Sequence, residues 1–251
     1  MNIRLAGERA TDGRRPTRTY GRPHLRAWRG LGLWIGALWL SLCVGPQLAS
    51  GQSLGSPCLA APTLTMAGTR IVPVSSVAEL QSAMGNLQAG DTIVLANGIY
   101  HLTSTLYVNG RDNVTIRGQE GCDQVVLVGR GMDIASYGNV PHGIWSNSRK
   151  TVIAHMTIRE TFDNTIVFNG GAQSPRVYHV KLLNSGSQFI KANPLNATEG
   201  VDHGIVEYSI MEYPAGPPAT DHGAGVGYTN GLSIHTGDNW VIRRKMFKNF
   251  H

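Results

Sequence analysis

A short phrase recurs along this chain, and its recurrence limits the fold more than any other feature. It reads Thr151-Val-Ile-Ala-His-Met-Thr-Ile158, then Arg176-Val-Tyr-His-Val-Lys-Leu-Leu183. It returns as Gly204-Ile-Val-Glu-Tyr-Ser-Ile-Met211 and as Trp240-Val-Ile-Arg-Arg-Lys-Met-Phe247. Each copy is a β-type run with two apolar anchors five places apart: Ile153/Ile158, Tyr178/Leu183, Val206/Met211 and Ile242/Phe247. A degenerate earlier copy is anchored at Ile116, so the first anchors step by 37, 25, 28 and 36 residues. Such periods mark stacked repeats, in which no unit buries its apolar face alone. The units are short runs broken by Gly, Asn, Asp and Pro, with almost no helical periodicity after about residue 90. The expected fold is therefore all-β, a parallel β-solenoid of about seven rungs, with loops of different length between rungs.

Charge distribution narrows the partners. The formal net charge is +6, yet residues 1–51 hold eight Arg against Glu8 and Asp12. The remaining residues, 52–251, carry 14 basic and 14 acidic side chains. A nucleic-acid footprint is thus not expected, because the basic excess sits in a leader. That leader has an Arg-rich segment ending at Arg29, an apolar run from Leu31 to Gly45, and small residues at Ala49-Ser50-Gly51. Residues 1–51 read as a secretory signal, which implies a secreted or periplasmic protein with no membrane segment after cleavage. An uncleaved anchor is the alternative. Two cysteines then remain, Cys58 and Cys122, and an even pair in an exported chain suggests a disulfide; two free thiols stay open at this stage.

Residues 52–70 read as an irregular extension and 71–251 as the solenoid domain. Ser76-Val-Ala-Glu79 is a capping box, followed by Val77, Leu80, Ala83, Met84 and Leu87 at helical spacing. One short helix over about 76–85 is expected, placed to cover the open end of the solenoid. Strands follow at Thr92–Leu95, Ile99–Leu102, Leu106–Val108, Val114–Arg117 and Val125–Val128, separated by turns such as Asn97-Gly98.

The run Ala-Gly-Asp-Thr-Ile-Val-Leu-Ala-Asn-Gly-Ile-Tyr-His-Leu at 89–102, followed by Asn-Val-Thr-Ile-Arg-Gly at 113–118, resembles the first coils of right-handed parallel β-helix proteins of the pectate-lyase-like superfamily. The text from Ser174 onward resembles an exported bacterial group of β-helix-repeat proteins within it. The resemblance covers about residues 70–251. It implies a right-handed parallel β-helix, and it implies further rungs and a C-terminal cap after the strand phrase that ends at Phe250, so a truncated chain is expected. It does not select a reaction, because this fold carries lyases, hydrolases, epimerases and non-catalytic adhesins.

Side chains of a β-helix alternate inward and outward, and equivalent residues stack about 4.8 Å apart. Aligning Phe168, Ile190 and Ile234 inside puts Asn169, Lys191 and His235 outside as one ladder. The insertion from Pro214 to Thr229, with Asp221-His222, would overhang that face, and Tyr213 and Tyr228 would stack on sugar rings there. β-Elimination of a uronate polymer needs a base beside the carboxylate and a cation for the developing charge. Lys191 or His235 would be the base, and a lysine serves as one where burial or neighbouring cations favour its free amine. Arg243 or Arg244 would neutralise the carboxylate. A Ca²⁺ ion would bridge the substrate through Glu207, Glu212 or Asp202. The reading is a monomeric protein acting on an acidic polysaccharide. A non-catalytic carbohydrate-binding solenoid, or an inactive fragment of a longer enzyme, is the alternative. Outward Lys, His and Asn also suit a plain solvated face. Phosphate-loop, Cys-x-x-Cys, His-Glu-x-x-His and Gly-x-Ser-x-Gly patterns are missing from the sequence, and so are the recurrent aspartates of a β-helix hydrolase.

Overall fold

The computed structural model describes residues 55–65, 68–133, 137–217 and 230–250. The leader, Tyr228 and Asp221-His222 lie outside them.

The described chain is a right-handed parallel β-helix. After β1 (Arg70–Val74) comes the single helix α1 (Val77–Gly85), and then strands only. Complete turns of the coil are β2 (Asp91–Leu95), β3 (Gly98–His101), β4 (Leu106–Val108); then β5 (Thr115–Gly118), β6 (Val125–Val128), β7 (Ile144–Ser146); then β8 (Val152–Thr161), β9 (Ile166–Phe168). They continue as β10 (Arg176–Ser185), β11 (Ile190–Ala192), and as β12 (Ile205–Glu207), β13 (Ile210–Glu212), β14 (Leu232–Ile234). β15 (Val241–Arg243) and β16 (Met246–Lys248) open a further rung. Every strand pairing is parallel. The long sheet runs β1-β2-β5-β8-β10-β12-β15, with β3, β6, β13 and β16 alongside, and the five-stranded sheet runs β14-β11-β9-β7-β4.

Helix α1 starts where the capping box places it: Ser76 Oγ accepts from Glu79 N at 3.2 Å and the Glu79 carboxylate accepts from Ser75 N at 2.7 Å. Leu80 and Met84 face inward, and Gln81 Nε2 donates to Ser104 O at 2.9 Å, so the helix stands against β1 and β4 at the first rung.

The core is two columns of stacked apolar side chains in the long sheet and a third in the short one. Ile93, Ile116, Ile153, Val177 and Val206 register rung on rung and all are fully buried. Leu127, Ile158, Leu182 and Met211 form the second column. Each fully buried side chain of this size is worth about 1.5–3 kcal/mol. The anchors of the β10 rung are therefore Val177/Leu182. The alignment on Tyr178/Leu183 is one residue out, because Tyr178 points away from the core and its hydroxyl donates to Pro62 O at 2.5 Å. A phenol with a backbone acceptor outside gains more there than it would in an apolar column.

Corners repeat as faithfully as strands. Asn113, Lys150, Ser174, His203 and Asn239 all have φ between 54 and 60° and each sits two residues before its strand. Their amides form a ladder: Asn113 N to Arg149 O, Lys150 N to Gln173 O, Ser174 N to Asp202 O and His203 N to Asp238 O, at 2.7–2.9 Å. A second column of left-handed residues, His155, His179, Tyr208 and Arg244, has φ 49–55°. It bends the long sheet into two faces. Left-handed backbone costs a non-glycine residue about 1 kcal/mol or more, and here the amides of Asn113, Lys150, Ser174 and His203 regain partners on the next rung.

Residues 55–65 strap the outside of this bend. Cys58 and Cys122 form a disulfide with Cα atoms 5.9 Å apart. Ser56 N donates to Glu212 Oε2 at 2.6 Å, Lys181 Nζ to Ser56 O at 3.0 Å, and Arg117 Nη1 to Leu64 O at 2.9 Å.

Candidate functional site

The outer face of the five-stranded sheet presents the side chains that the inward column leaves over. Inside stand Leu106, Ile144, Ile166 and Ile190, all fully buried, with Leu232 partly buried. Outside stands a straight column, one residue per rung: Tyr107, Trp145, Val167, Lys191, Ser233. Tyr107 is 46% exposed. Trp145, Lys191 and Ser233 are half-buried.

This register corrects the ladder inferred from sequence. Lys191 pairs with Val167 and Ser233, not with Asn169 and His235. The residue beside Asn169 is Asn193. Its Nδ2 donates to Asn169 Oδ1 at 2.7 Å, just as Asn147 Nδ2 donates to Asn109 Oδ1 at 2.8 Å. One residue beyond each strand, then, Asn109, Asn147, Asn169 and Asn193 stack as an amide column, and His235 follows Ile234 at the same position on the next rung. The error is two residues, so it keeps the outward face outward. Amide-to-amide hydrogen bonding accompanies the true register, which moves Lys191 two positions, to the middle of its strand.

Lys191 has polar company. The strand on one side carries Ser233, whose Oγ lies 2.9 Å from His235 Nε2. At the corner before β7, His142 accepts from Asn164 N through Nδ1 at 3.4 Å, which leaves Nε2 as its N–H. Burial pushes the His142 pKa down; Asp163 opposes that and Lys191 reinforces it. The imidazole is thus held neutral near neutral pH as a hydrogen-bond donor. On the other side, Tyr107 and Trp145 touch, with ring centroids 5.7 Å apart.

Other expected site residues are elsewhere. Arg243 lies in the long sheet, on a different face from Lys191, and pairs with Glu207 at 2.9 Å; Arg176 pairs with the other oxygen of the same carboxylate at 2.5 Å. Burial pushes the Glu207 carboxyl up, but the two guanidiniums outweigh burial and hold it below its ordinary value. Arg244 donates to the Tyr208 hydroxyl. Tyr213 is fully buried against Phe189 and donates to Ser185 O at 2.8 Å, so it is a core residue and not a sugar platform. Glu207, Glu212 and Asp202 do not assemble into a Ca²⁺ site. Glu212 is taken by Ser56 N and Lys248, and Asp202 Oδ1 by Asp238 N at 2.8 Å. Among the described residues the one cluster of three metal-type ligands is Cys58, Cys122 and His179, and its sulfurs are bonded to each other.

Sequence reasoning missed Tyr107, Trp145, His142, Asn193 and Ser233. The recoverable signal was the constant offset of 24 residues between the β8–β9 and β10–β11 rungs, visible as His155/His179 and Asn169/Asn193.

No family model matches the chain, and no curated protein matches its sequence. Among solved structures it is similar to an alginate lyase from a Paenibacillus species, with TM-score 0.50 and 15% identity over 72% of this chain and 68% of that one. A PL6 family alginate lyase matches with TM-score 0.40 and 15% identity, covering 76% of this chain and 30% of the other. A PL6 family polysaccharide lyase from Pseudopedobacter saltans matches with TM-score 0.38 and 16% identity, covering 72% and 47%. The first of these likenesses establishes the parallel β-helix fold. Among the described residues no helix is long and apolar enough to cross a membrane.

Proposed function

We propose that this is an exported protein that binds an acidic polysaccharide on the outer face of the five-stranded sheet and cleaves it by β-elimination, with Lys191 as the base. The observation that carries the reading is the position of Lys191. It is half-buried in an outward column, between an aromatic pair and the Ser233–His235 hydrogen bond. In the reaction, the Lys191 amine takes the proton on C5, next to the uronate carboxylate. That electron pair forms the C4=C5 double bond, and the C4–O4 bond breaks. The departing O4 takes a proton from the Ser233 hydroxyl, which His235 holds by a hydrogen bond, and solvent water then restores the Ser233 proton and removes the one on Lys191. His142 Nε2–H and the Asn169/Asn193 amides are hydrogen-bond donors for the carboxylate as charge builds on it. The Arg-rich leader and its apolar run support export.

The test is the ultraviolet absorbance of the unsaturated uronate product on a panel of uronate polymers. The wild-type chain should generate it, and Lys191→Ala should lower the rate about a hundredfold or more, the usual weight of a positioned base. Activity that survives Lys191→Ala sinks the assignment. Binding without product would make the face a non-catalytic glycan surface.

A further inference from the structure

An exposed tyrosine and a half-buried tryptophan share one straight column with a lysine, and the column is parallel to the axis of the solenoid. Trp145 registers with Val167, and Val167 with Lys191. Trp145 is thus two rungs from Lys191, about 10 Å at the strand spacing, and Tyr107 stands one rung farther. Val167 between them is buried, so it projects no side chain above the column between Trp145 and Lys191. Rung spacing is comparable to the advance of one pyranose residue, so a glycan laid along this column meets a new side chain with each sugar.

Aromatic rings of this kind are placed to bury the apolar face of a flat molecule while their polar edges stay wet. In a structural role, Trp and Tyr at outward strand positions would be covered by a loop or by a neighbouring strand. Tyr107 instead remains about half open, on a β-helix whose inward column already supplies the core. The charge beside the pair is basic. Arg111, Arg149 and Lys150 are exposed at the corners that follow Asn109 and Asn147, on the same two rungs as the aromatics. A cation at one end of the column and basic corners at the other suit an anionic chain.

We infer that Tyr107 and Trp145 form a ring-stacking subsite for an acidic glycan whose chain runs along the solenoid axis, with the stacked sugars about two and three residues away from the sugar at Lys191. This rests on the reading of the five-stranded face as the glycan surface, but it concerns recognition and not cleavage. Sugar length then becomes the discriminating variable. A disaccharide seated at Lys191 does not reach Trp145, whereas a longer oligomer does.

Titration calorimetry on the full chain, with uronate oligomers of increasing length, tests it. Wild-type affinity should rise once the oligomer spans both places. Trp145→Ala should weaken the long oligomers about tenfold and leave the disaccharide unchanged, and Tyr107→Ala should act only on oligomers one residue longer. Trp145→Phe should recover most of the loss, which separates stacking from disturbed folding. Trp145→Ala binding long oligomers as the wild type does would overturn the inference. So would equal affinity for neutral oligomers of the same length, or no binding of any uronate oligomer by the wild type. Length-dependent, Trp145-dependent binding without any unsaturated product would support this subsite while removing the lyase reading.

Discussion

Asn193 and Asn169 stand one rung apart, and the 2.7 Å bond from Nδ2 of the first to Oδ1 of the second fixes which residues of the facing strands are neighbours. Lys191 occupies its place beside Ser233 and Val167 because this amide column locks the register two residues beyond the strand centre. Removing either amide should cost about 1 kcal/mol, the net worth of a hydrogen bond of this kind. Urea unfolding should show that cost for Asn169→Ala and for Asn193→Ala, and the double variant should lose less than the sum. Strict additivity would mean that the two amides do not act as a pair.

The strap is tied down by one covalent bond. Cys58 and Cys122 are 64 residues apart in sequence, and closing a loop of that length removes about 4 kcal/mol of unfolded-state freedom. Replacing both cysteines by Ala should lower the melting temperature well beyond what a surface change would do, by about 8–16 °C at about 2–4 °C for each kcal/mol. Limited proteolysis should then cut within residues 55–65 first.

His155 and His179 face each other across one rung, with their Nδ1 atoms 2.9 Å apart. His179 also has a hydrogen bond to the backbone of Leu59 that favours its protonated form, so its ring donates there. Nδ1 of His179 is then the acceptor, and Nδ1–H of His155 the donor. Burial pushes His155 down first, and Arg117 and His179 add to it, to about 4 from the ordinary 6.5. The folded state therefore holds neutral His155 while the unfolded chain binds a proton below 6.5. Stability should fall as pH drops from 6.5 toward 4 and then level off, by about 3 kcal/mol from this group when complete. Unfolding midpoints measured across that window check the slope, and His155→Gln should flatten it.

Arg243 belongs to the Glu207 pair and not to the outer face of the five-stranded sheet. Its side chain is 58% exposed, so Arg243→Ala should cost under about 1 kcal/mol and leave uronate binding and cleavage unchanged. Glu207→Gln is more damaging. It strips the shared anion from Arg176 and Arg243 on a buried carboxylate and should cost about 2 kcal/mol or more. A loss of binding in Arg243→Ala would return that arginine to the site.

Much of the fold was legible in the chain because the solenoid repeats its own chemistry. The strands of the long sheet and the capping box at Ser76 could be anticipated from local pattern, and the even cysteine count suggested the disulfide without deciding it. Two registers could not. Tyr178 is as apolar as Val177 to a pattern that counts only hydrophobic residues, and its phenol is satisfied by Pro62, 116 residues away in sequence. Ile190 and Ala192 are both acceptable inside, so the alignment of Lys191 turned on Asn193, whose partner is 24 residues distant.

The sequence by itself determined the recurrence of the strand phrases, most of the long-sheet anchors and the start of the helix, because apolar patterning and capping act within a few residues of chain. Only the tertiary structure decided which outward side chains share a column, that Glu207 joins Arg176 to Arg243, and that Tyr213 belongs to the core. Those outcomes depend on hydrogen bonds and ion pairs between rungs, and their partners are set by how the coils stack and not by what stands next in the chain.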